Sequence, residues 1–285
     1  MTCWSWQSNW KAPGKLNLFL HVVGRRPDGY HQLQTVFRLV NWADTLHFAS
    51  RQDKKITLHP SLPDVPDVRN LCVRAALLLQ KKTLTDQGVV ISLTKRLPIG
   101  GGMGGGSSDA ATTLLALNHL WQCGLTRMQL LELALQIGAD VPFFIFGDNA
   151  FAQGIGEQLQ RCPLPAAWYL ILCPEVQVKT AQIFQHPDLP RQTPTLSAID
   201  WRPGQGRNDL ESLVCSIFPE VAGCLKMLKQ YAPQARMSGS GGCCFAEFPT
   251  QQQADAVAQR LPASIPAILV RGLPYHPLRN LLPLR

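Results

Sequence analysis

The chain has 285 residues, enough for one large domain or two ordinary ones, and its 46% hydrophobic and 16% charged content supports a sizeable core and excludes wholesale disorder. Lys and Arg outnumber Asp and Glu by 27 to 19, and a net charge of +8 favours an anionic partner. The basic residues are scattered without a run of five, so charge alone points to a solvated basic surface before a nucleic-acid patch.

Nine cysteines, an odd number with no C-x-x-C pair, several of them inside apolar stretches, are expected to be buried free thiols of a reducing compartment rather than disulfides or zinc ligands. The first residues lack the basic and apolar regions of a secretory signal, and no apolar run approaches ~18 residues. A cytoplasmic protein without a membrane span is therefore expected.

In chain order, Leu16–Val23 alternates as a strand, with Leu16, Leu18, Leu20 and Val22 on one face and Lys15, Asn17, Phe19 and His21 on the other. Residues 24–32 read as a loop, and 35–40 and 45–49 as further strands. A polar, proline-bearing stretch, 59–68, leads to a helix capped by Asn70. Residues 89–94 form another strand. Ser107 or Ser108 is then expected to cap a helix that Gly124 ends, and Thr126 with Gln129 has the form of a capping box opening a second helix up to Gly138.

The composition shifts near residue 160, which divides the chain into domains 1–160 and 161–285. Beyond it come a strand at 168–173, an irregular Pro-rich stretch, a helical region at 211–231, strands near 236 and at 243–248, a helix at 251–260 and a strand near 267–271. Strands and helices mix without regular βαβα alternation, so the predicted class is α+β.

The strongest local signal is Pro98-Ile99-Gly100-Gly101-Gly102-Met103-Gly104-Gly105-Gly106-Ser107-Ser108-Asp109. Six glycines among seven residues free the backbone to approach a ligand, and the stretch lies between a strand and a helix, where N–H groups can converge on phosphate. A Walker A loop is excluded because Ser-Ser-Asp follows the glycines instead of Gly-Lys-Ser/Thr. A Rossmann unit is excluded because two helices follow in place of a second strand ending in an acid.

Three further segments are candidates. Pro13-Gly14-Lys15-Leu16-Asn17 puts Lys15 and Asn17 on one strand face. In Gly138-Ala139-Asp140-Val141-Pro142, Asp140 falls just past a helix, and Pro142 biases Val141 away from helix, so Asp140 reads as a turn former or as a positioned catalytic carboxylate. Met237-Ser-Gly-Ser-Gly-Gly242 is a tight hairpin or a loop bringing backbone close to a ligand.

Together, PGKLNLFL, PIGGGMGGGSSDAA and MSGSGGCCFA resemble the three ordered motifs of the GHMP kinases, the family of galactose, homoserine, mevalonate and phosphomevalonate kinases. RRPDGYHQLQTVF and IGADVPFF narrow the resemblance to the branch acting on 4-(cytidine 5'-diphospho)-2-C-methyl-D-erythritol in non-mevalonate isoprenoid precursor synthesis. The likeness covers nearly the whole chain and is weakest in the first ten residues and around 190–208.

The resemblance implies a two-domain fold with an interdomain cleft, and transfer of phosphate from ATP, with Mg²⁺, to the 2-hydroxyl of the methylerythritol unit. It implies that Asp140 is the catalytic carboxylate and Lys15 its basic partner. Asn70, Lys95 and the glycine loop fall on the nucleotide side; Asn17, Tyr30, His31, Thr180 and Phe184 fall on the cytidine side. Asp109 is expected to help hold Mg²⁺ or to strengthen the helix N-terminus, and the metal ligands stay open. Expected partners are the two small molecules, without nucleic acid or membrane, in a monomer or homodimer. The alternatives are a GHMP kinase for another acceptor, a ligand-binding regulator on the same fold, and a nucleic-acid binder suggested only by charge.

Overall fold

Long, bulged strands dominate the first half of the chain. A computed structural model describes residues 4–60, 69–262 and 265–281. Strand β1, Trp10–Arg25, pairs antiparallel with β2, His31–Arg51, so the two strands expected at 35–40 and 45–49 are parts of one. The register of β1 on β2 shifts between Pro13 and Lys15, between Asn17 and Leu20, and between Val22 and Gly24. The second bulge breaks the period of two. Leu16 and Leu18 therefore join one apolar cluster while Leu20 and Val22 join another, instead of sharing the face that alternation predicted. Lys15 and Asn17 precede that bulge and stay together.

β3 (Ile56–Leu58), β4 (Gly88–Thr94), β5 (Ala150–Gln153) and β6 (Gln158–Arg161) complete the first sheet in the order β3-β4-β2-β5-β6, with β1 added on β2. Helices α1 (Leu71–Thr83), α2 (Gly105–Leu120), α3 (Arg127–Ile137) and α4 (Val141–Phe146) bury their apolar faces against it. Asn70 caps α1 by accepting from Cys72 N, and Thr126 with Gln129 forms the capping box of α3, both as the sequence predicts. The expected stretch at 59–68 lies largely outside the described residues.

A second sheet begins with β7 (Trp168–Leu172) and runs β10-β7-β9-β8, all antiparallel, with β8 at Arg236–Met237, β9 at Cys244–Phe248 and β10 at Ala267–Arg271. It is accompanied by α5 (Thr180–Gln185), α6 (Glu211–Ile217), α7 (Pro219–Lys229) and α8 (Gln251–Ala258). Cys243 and Cys244 enter different clusters, Cys243 the one that holds Leu16 and Leu18 and Cys244 the one that holds Leu20 and Val22. The described cysteines, all but Cys3, are free thiols. After β10 the chain returns to the first sheet, where Leu273 N donates to Leu39 O, His276 N donates to Gly147 O and Leu278 enters the first core. No helix among the described residues is long and apolar enough to cross a membrane.

Candidate active site

Lys15 reaches the middle of the molecule because β1 is covered on both sides, leaving its side chain 4% exposed. Its ammonium donates to Asn17 Oδ1 at 2.5 Å and to Gly102 O at 2.9 Å, and stands 3.5 Å from Asp140 Oδ2. Burial pushes the Lys15 pKa below its ordinary value, and the adjacent Asp140 carboxylate opposes that shift. Asn17 is fixed in turn, donating to Thr35 Oγ1 at 2.9 Å from its side chain and to Ser238 Oγ at 3.2 Å from its backbone.

Asp140 sits at the N-terminal edge of α4, because Val141 is helical with Pro142 in the first turn. The expected exclusion of Val141 from helix does not occur: a proline within the first turn lacks only an N–H that would be unpaired there anyway. The Asp140 side chain makes no capping hydrogen bond and is 35% exposed, so its carboxylate faces the cavity.

The glycine loop alternates in backbone sign, with φ of 72°, 74° and 68° at Gly100, Gly102 and Gly104. Such alternation turns successive N–H groups towards one concave side, the geometry of an anion nest. It also lets the loop pass close to its neighbours: a Cβ on Gly102 would lie 2.0 Å from Ser238 O. Helix α2 starts at Gly105 directly from the left-handed Gly104, so neither Ser107 nor Ser108 caps it. Ser108 is fully buried and donates to Pro13 O at 2.7 Å, tying α2 to β1 instead of offering its hydroxyl to a ligand. The earlier start also puts Asp109 beyond the first turn, so it does not serve the helix N-terminus.

Behind the loop lies a buried charge cluster. Lys95 donates to Asp109 at 2.8 Å and to Asp44, whose other oxygen accepts from Leu97 N at 2.8 Å and from Arg96 N. Burial is the main cause that pushes the Asp109 pKa up, to about 7, with Asp44 adding to the rise and Lys95 opposing it. The two carboxylates raise Lys95 despite its own desolvation.

These elements surround a cavity of about 540 Å³. It is lined by Lys15, Asn17, Asn70, Lys95, residues 98–107, Asp109, Asp140, Thr180 and Phe184. Thr180 and Phe184 come from α5, with Thr180 Oγ1 2.7 Å from Ser240 Oγ. Tyr30 and His31 are not part of this lining. His31 packs its ring against Phe184, centroids 5.3 Å apart, whereas Tyr30 is 61% exposed on the β1–β2 turn and covers no core.

Residues 70–148 match the GHMP kinases N terminal domain, and residues 199–267 match the GHMP kinases C terminal. A 4-diphosphocytidyl-2-C-methyl-D-erythritol kinase of Dechloromonas aromatica is 55% identical over 272 residues, covering 95% of this chain and 99% of that protein. The chain belongs to the 4-diphosphocytidyl-2-C-methyl-D-erythritol kinase family. The same description holds for a relative in Nitrosospira multiformis, 55% identical over 271 residues, covering 94% of this chain and 92% of its own. A crystal structure of 4-(cytidine 5'-diphospho)-2C-methyl-D-erythritol kinase superposes with a TM-score of 0.79 at 33% identity, covering 93% and 99% of the two chains. A homoserine kinase from Cytophaga hutchinsonii, 19% identical with a TM-score of 0.72, shares the fold.

In this kinase, several residues in or behind the cavity carry no local sequence signal. Asp44 lies on β2 far from any motif, and only its pairing with Lys95 across the sheet brings it to the loop. Thr35 and Phe37 enter from the same strand, and Ile155 and Gly156 from the β5–β6 turn. Ser238, in contrast, was within reach, since MSGSGG reads as a close-approach loop; its hydroxyl donates to Gly102 O at 3.0 Å.

Among the described residues, no group of three His, Cys, Asp or Glu side chains could hold a metal ion. This suits Mg²⁺ carried mainly by nucleotide phosphates and water, which needs only one or two protein oxygens. The buried Asp109 Oδ1 has no hydrogen-bond partner, and Ser107 belongs to the same lining, so the donor set fits such an ion.

Proposed function

We propose that the kinase transfers the γ-phosphoryl group of ATP to the 2-hydroxyl of 4-(cytidine 5'-diphospho)-2-C-methyl-D-erythritol. The observation that carries this reading is the Lys15–Asp140 pair, placed between a phosphate-type glycine loop and an aromatic end wall within one cavity. Nucleotide is held by the 1–160 unit through the loop N–H groups, Asn70 and Lys95. The 161–285 unit closes the acceptor side with Thr180 and Phe184.

Asp140 receives the proton of the attacking hydroxyl, for which it needs a free carboxylate oxygen within about 3 Å of that group. Lys15 stays charged beside it and stabilises both the carboxylate and the developing alkoxide. Gly102 O and Asn17 Oδ1 hold the ammonium so that it cannot drift towards bulk water. In phosphoryl transfer most of the acceleration comes from positioning and from neutralising charge, which the loop N–H groups supply without reorganisation. Mg²⁺, when bound, adds charge neutralisation on the phosphates, and Asp109 and Ser107 are the residues that would hold it.

The test is direct. Purified protein is incubated with Mg-ATP and the CDP-methylerythritol compound, and the products are followed by ³¹P NMR. Formation of ADP and a new phosphomonoester resonance is expected. Turnover of homoserine but not of the CDP compound would assign a different acceptor.

A further inference from the structure

We propose that Cys173 and Cys243 form an oxidative modification site, a cross-strand thiol pair that a peroxide converts into a disulfide and that ties the state of these thiols to the glycine loop through Gly101. The site itself stands on the geometry of the second sheet; its effect on nucleotide rests on the reading above.

Cys173 follows β7 directly, and Leu172, the last residue of that strand, pairs with Cys244 in the antiparallel ladder with β9. The next position in the same register sets Cys173 opposite Cys243. Directly opposite residues of such a ladder have Cα atoms about 4.5–5.5 Å apart and side chains on one face, a spacing that a disulfide spans. The packing agrees: Cys243 is buried in the cluster that holds Leu16 and Leu97, and Cys173 packs against that cluster. Cys244 and Cys224 enter the second core instead. Hydrogen bonding with Cys173 comes first, and burial second, among the causes that push the Cys243 thiol well above its ordinary value. Cys243 therefore stays protonated, and Cys173, half-buried at the end of β7, is the sulfur that meets an oxidant.

Cys243 also ties down the glycine loop. Its N–H donates to Gly101 O at 3.2 Å, and a Cβ on Gly101 would lie 2.8 Å from its Sγ, so loop backbone and thiol are in direct contact. Gly101 stands between Gly100 and Gly102, whose left-handed φ of 72° and 74° shape the anion nest. Peroxide oxidises the Cys173 sulfur to a sulfenic acid, the peroxide O–O bond breaking with release of water. The Cys243 sulfur then attacks that sulfur: an S–S bond forms, the S–O bond breaks, and the hydroxyl leaves as water with the Cys243 proton. An S–S bond of about 2.05 Å draws the Cys243 sulfur towards β7 and away from Gly101. The hydrogen bond to Gly101 O and the packing beneath the loop weaken together, and the nest loosens.

The full chain, reduced, is treated with hydrogen peroxide, the remaining thiols are alkylated, and tryptic peptides are mapped by mass spectrometry. A cross-link is expected between the peptide that holds Cys162 and Cys173 and the peptide that holds Cys243 and Cys244, reversed by dithiothreitol. It should persist in C162A and C244A and vanish in C173A and C243A; C173A, a change at a half-buried position, still decides the matter if C243A fails to fold. By calorimetry the cross-linked wild type should bind Mg-ATP about fivefold more weakly than the reduced protein, the size of one lost hydrogen bond, and regain its affinity with dithiothreitol. Peroxide-treated C173A should bind as the untreated variant does. No cross-link, a cross-link through Cys162 or Cys244, or an equal loss of affinity in C173A would overturn the proposal. An unaltered affinity of the cross-linked protein would overturn the coupling to the loop. The peptide map needs no nucleotide, so a reduced protein that binds no ATP would remove the functional reading alone and leave the thiol pair to the map.

Discussion

The Lys15 ammonium stands 3.5 Å from the Asp140 carboxylate, and the same ammonium donates to Gly102 O at 2.9 Å. One buried cation thus joins the proposed base to the phosphate loop, which makes Asp140 testable without disturbing the nucleotide site. Asp140→Asn is expected to lower kcat by at least ~10²-fold, the usual size of an acid–base contribution, while ATP still binds with its wild-type affinity by calorimetry. An unchanged kcat would refute the role. The substitution also removes the group that holds the Lys15 pKa up, so the residual activity should lose its basic limb at lower pH than the wild type. Asp140 is one-third exposed, so no large stability change is expected to accompany the loss.

The glycines of the loop differ in what they tolerate. At Gly102 a Cβ would lie 2.0 Å from Ser238 O on a backbone at φ 74°, and no flexible side chain can yield there. Gly102→Ala is therefore expected to disrupt the packing of the loop on the MSGSGG hairpin, lowering the melting temperature and abolishing ATP binding. Gly106→Ala meets only Leu71 Cδ1 at 3.5 Å, in the first turn of α2, and is expected to leave the melting temperature unchanged or slightly raised. Equal effects of the two substitutions in thermal melts would show that glycine content, not the close approach, is what the loop requires.

Much of this arrangement is legible in the sequence. The capping box at Thr126, the Asn70 cap and the strand–glycine–helix junction all depend on residues adjacent in sequence, so local rules find them. The start of α2 is not legible there, because a serine pair is a strong cap signal while backbone geometry at Gly104 begins the helix and Ser108 grips Pro13. The change of face along β1 is hidden too, because a bulge between Asn17 and Leu20 leaves no mark in a run of apolar residues. Asp44 carries no signal for a different reason. Its partners at Lys95, Arg96 and Leu97 are about fifty residues away, and only sheet pairing brings them together.

That buried cluster makes a prediction about pH. Asp109 has its pKa raised in the fold, to about 7, from an ordinary carboxylate value. Between those two values the folded state binds a proton that the unfolded chain has released, so this contribution to stability falls as pH rises through about 7. Asp109→Asn removes the titrating group, and the melting temperature of the variant should depend less on pH between about 5 and 7.5 than that of the wild type. A parallel slope in both proteins would place the proton elsewhere in the cluster. Asp44→Ala, by contrast, leaves the backbone N–H groups of Arg96 and Leu97 without their acceptor and Lys95 with Asp109 alone. It should cost about 3–5 kcal/mol in denaturant unfolding.

The acceptor end separates two aromatic residues that the sequence treats alike. Phe184 lines the cavity and is half-buried against His31, whereas Tyr30 is 61% exposed on the hairpin turn. A stacked base contributes on the order of 1–3 kcal/mol, so Phe184→Ala should raise the KM for the CDP substrate by roughly 5- to 150-fold and leave the KM for ATP unchanged. Tyr30→Ala should not alter the melting temperature, because nothing of the core rests on the ring, and should raise the same KM less, since the turn must first move to bring the ring over the pyrimidine. Steady-state titration of each substrate against both variants decides the point. If Phe184→Ala raised the KM for ATP instead, the two ends of the cavity would have to be exchanged, with α5 on the nucleotide side and the Asn70 end on the acceptor side.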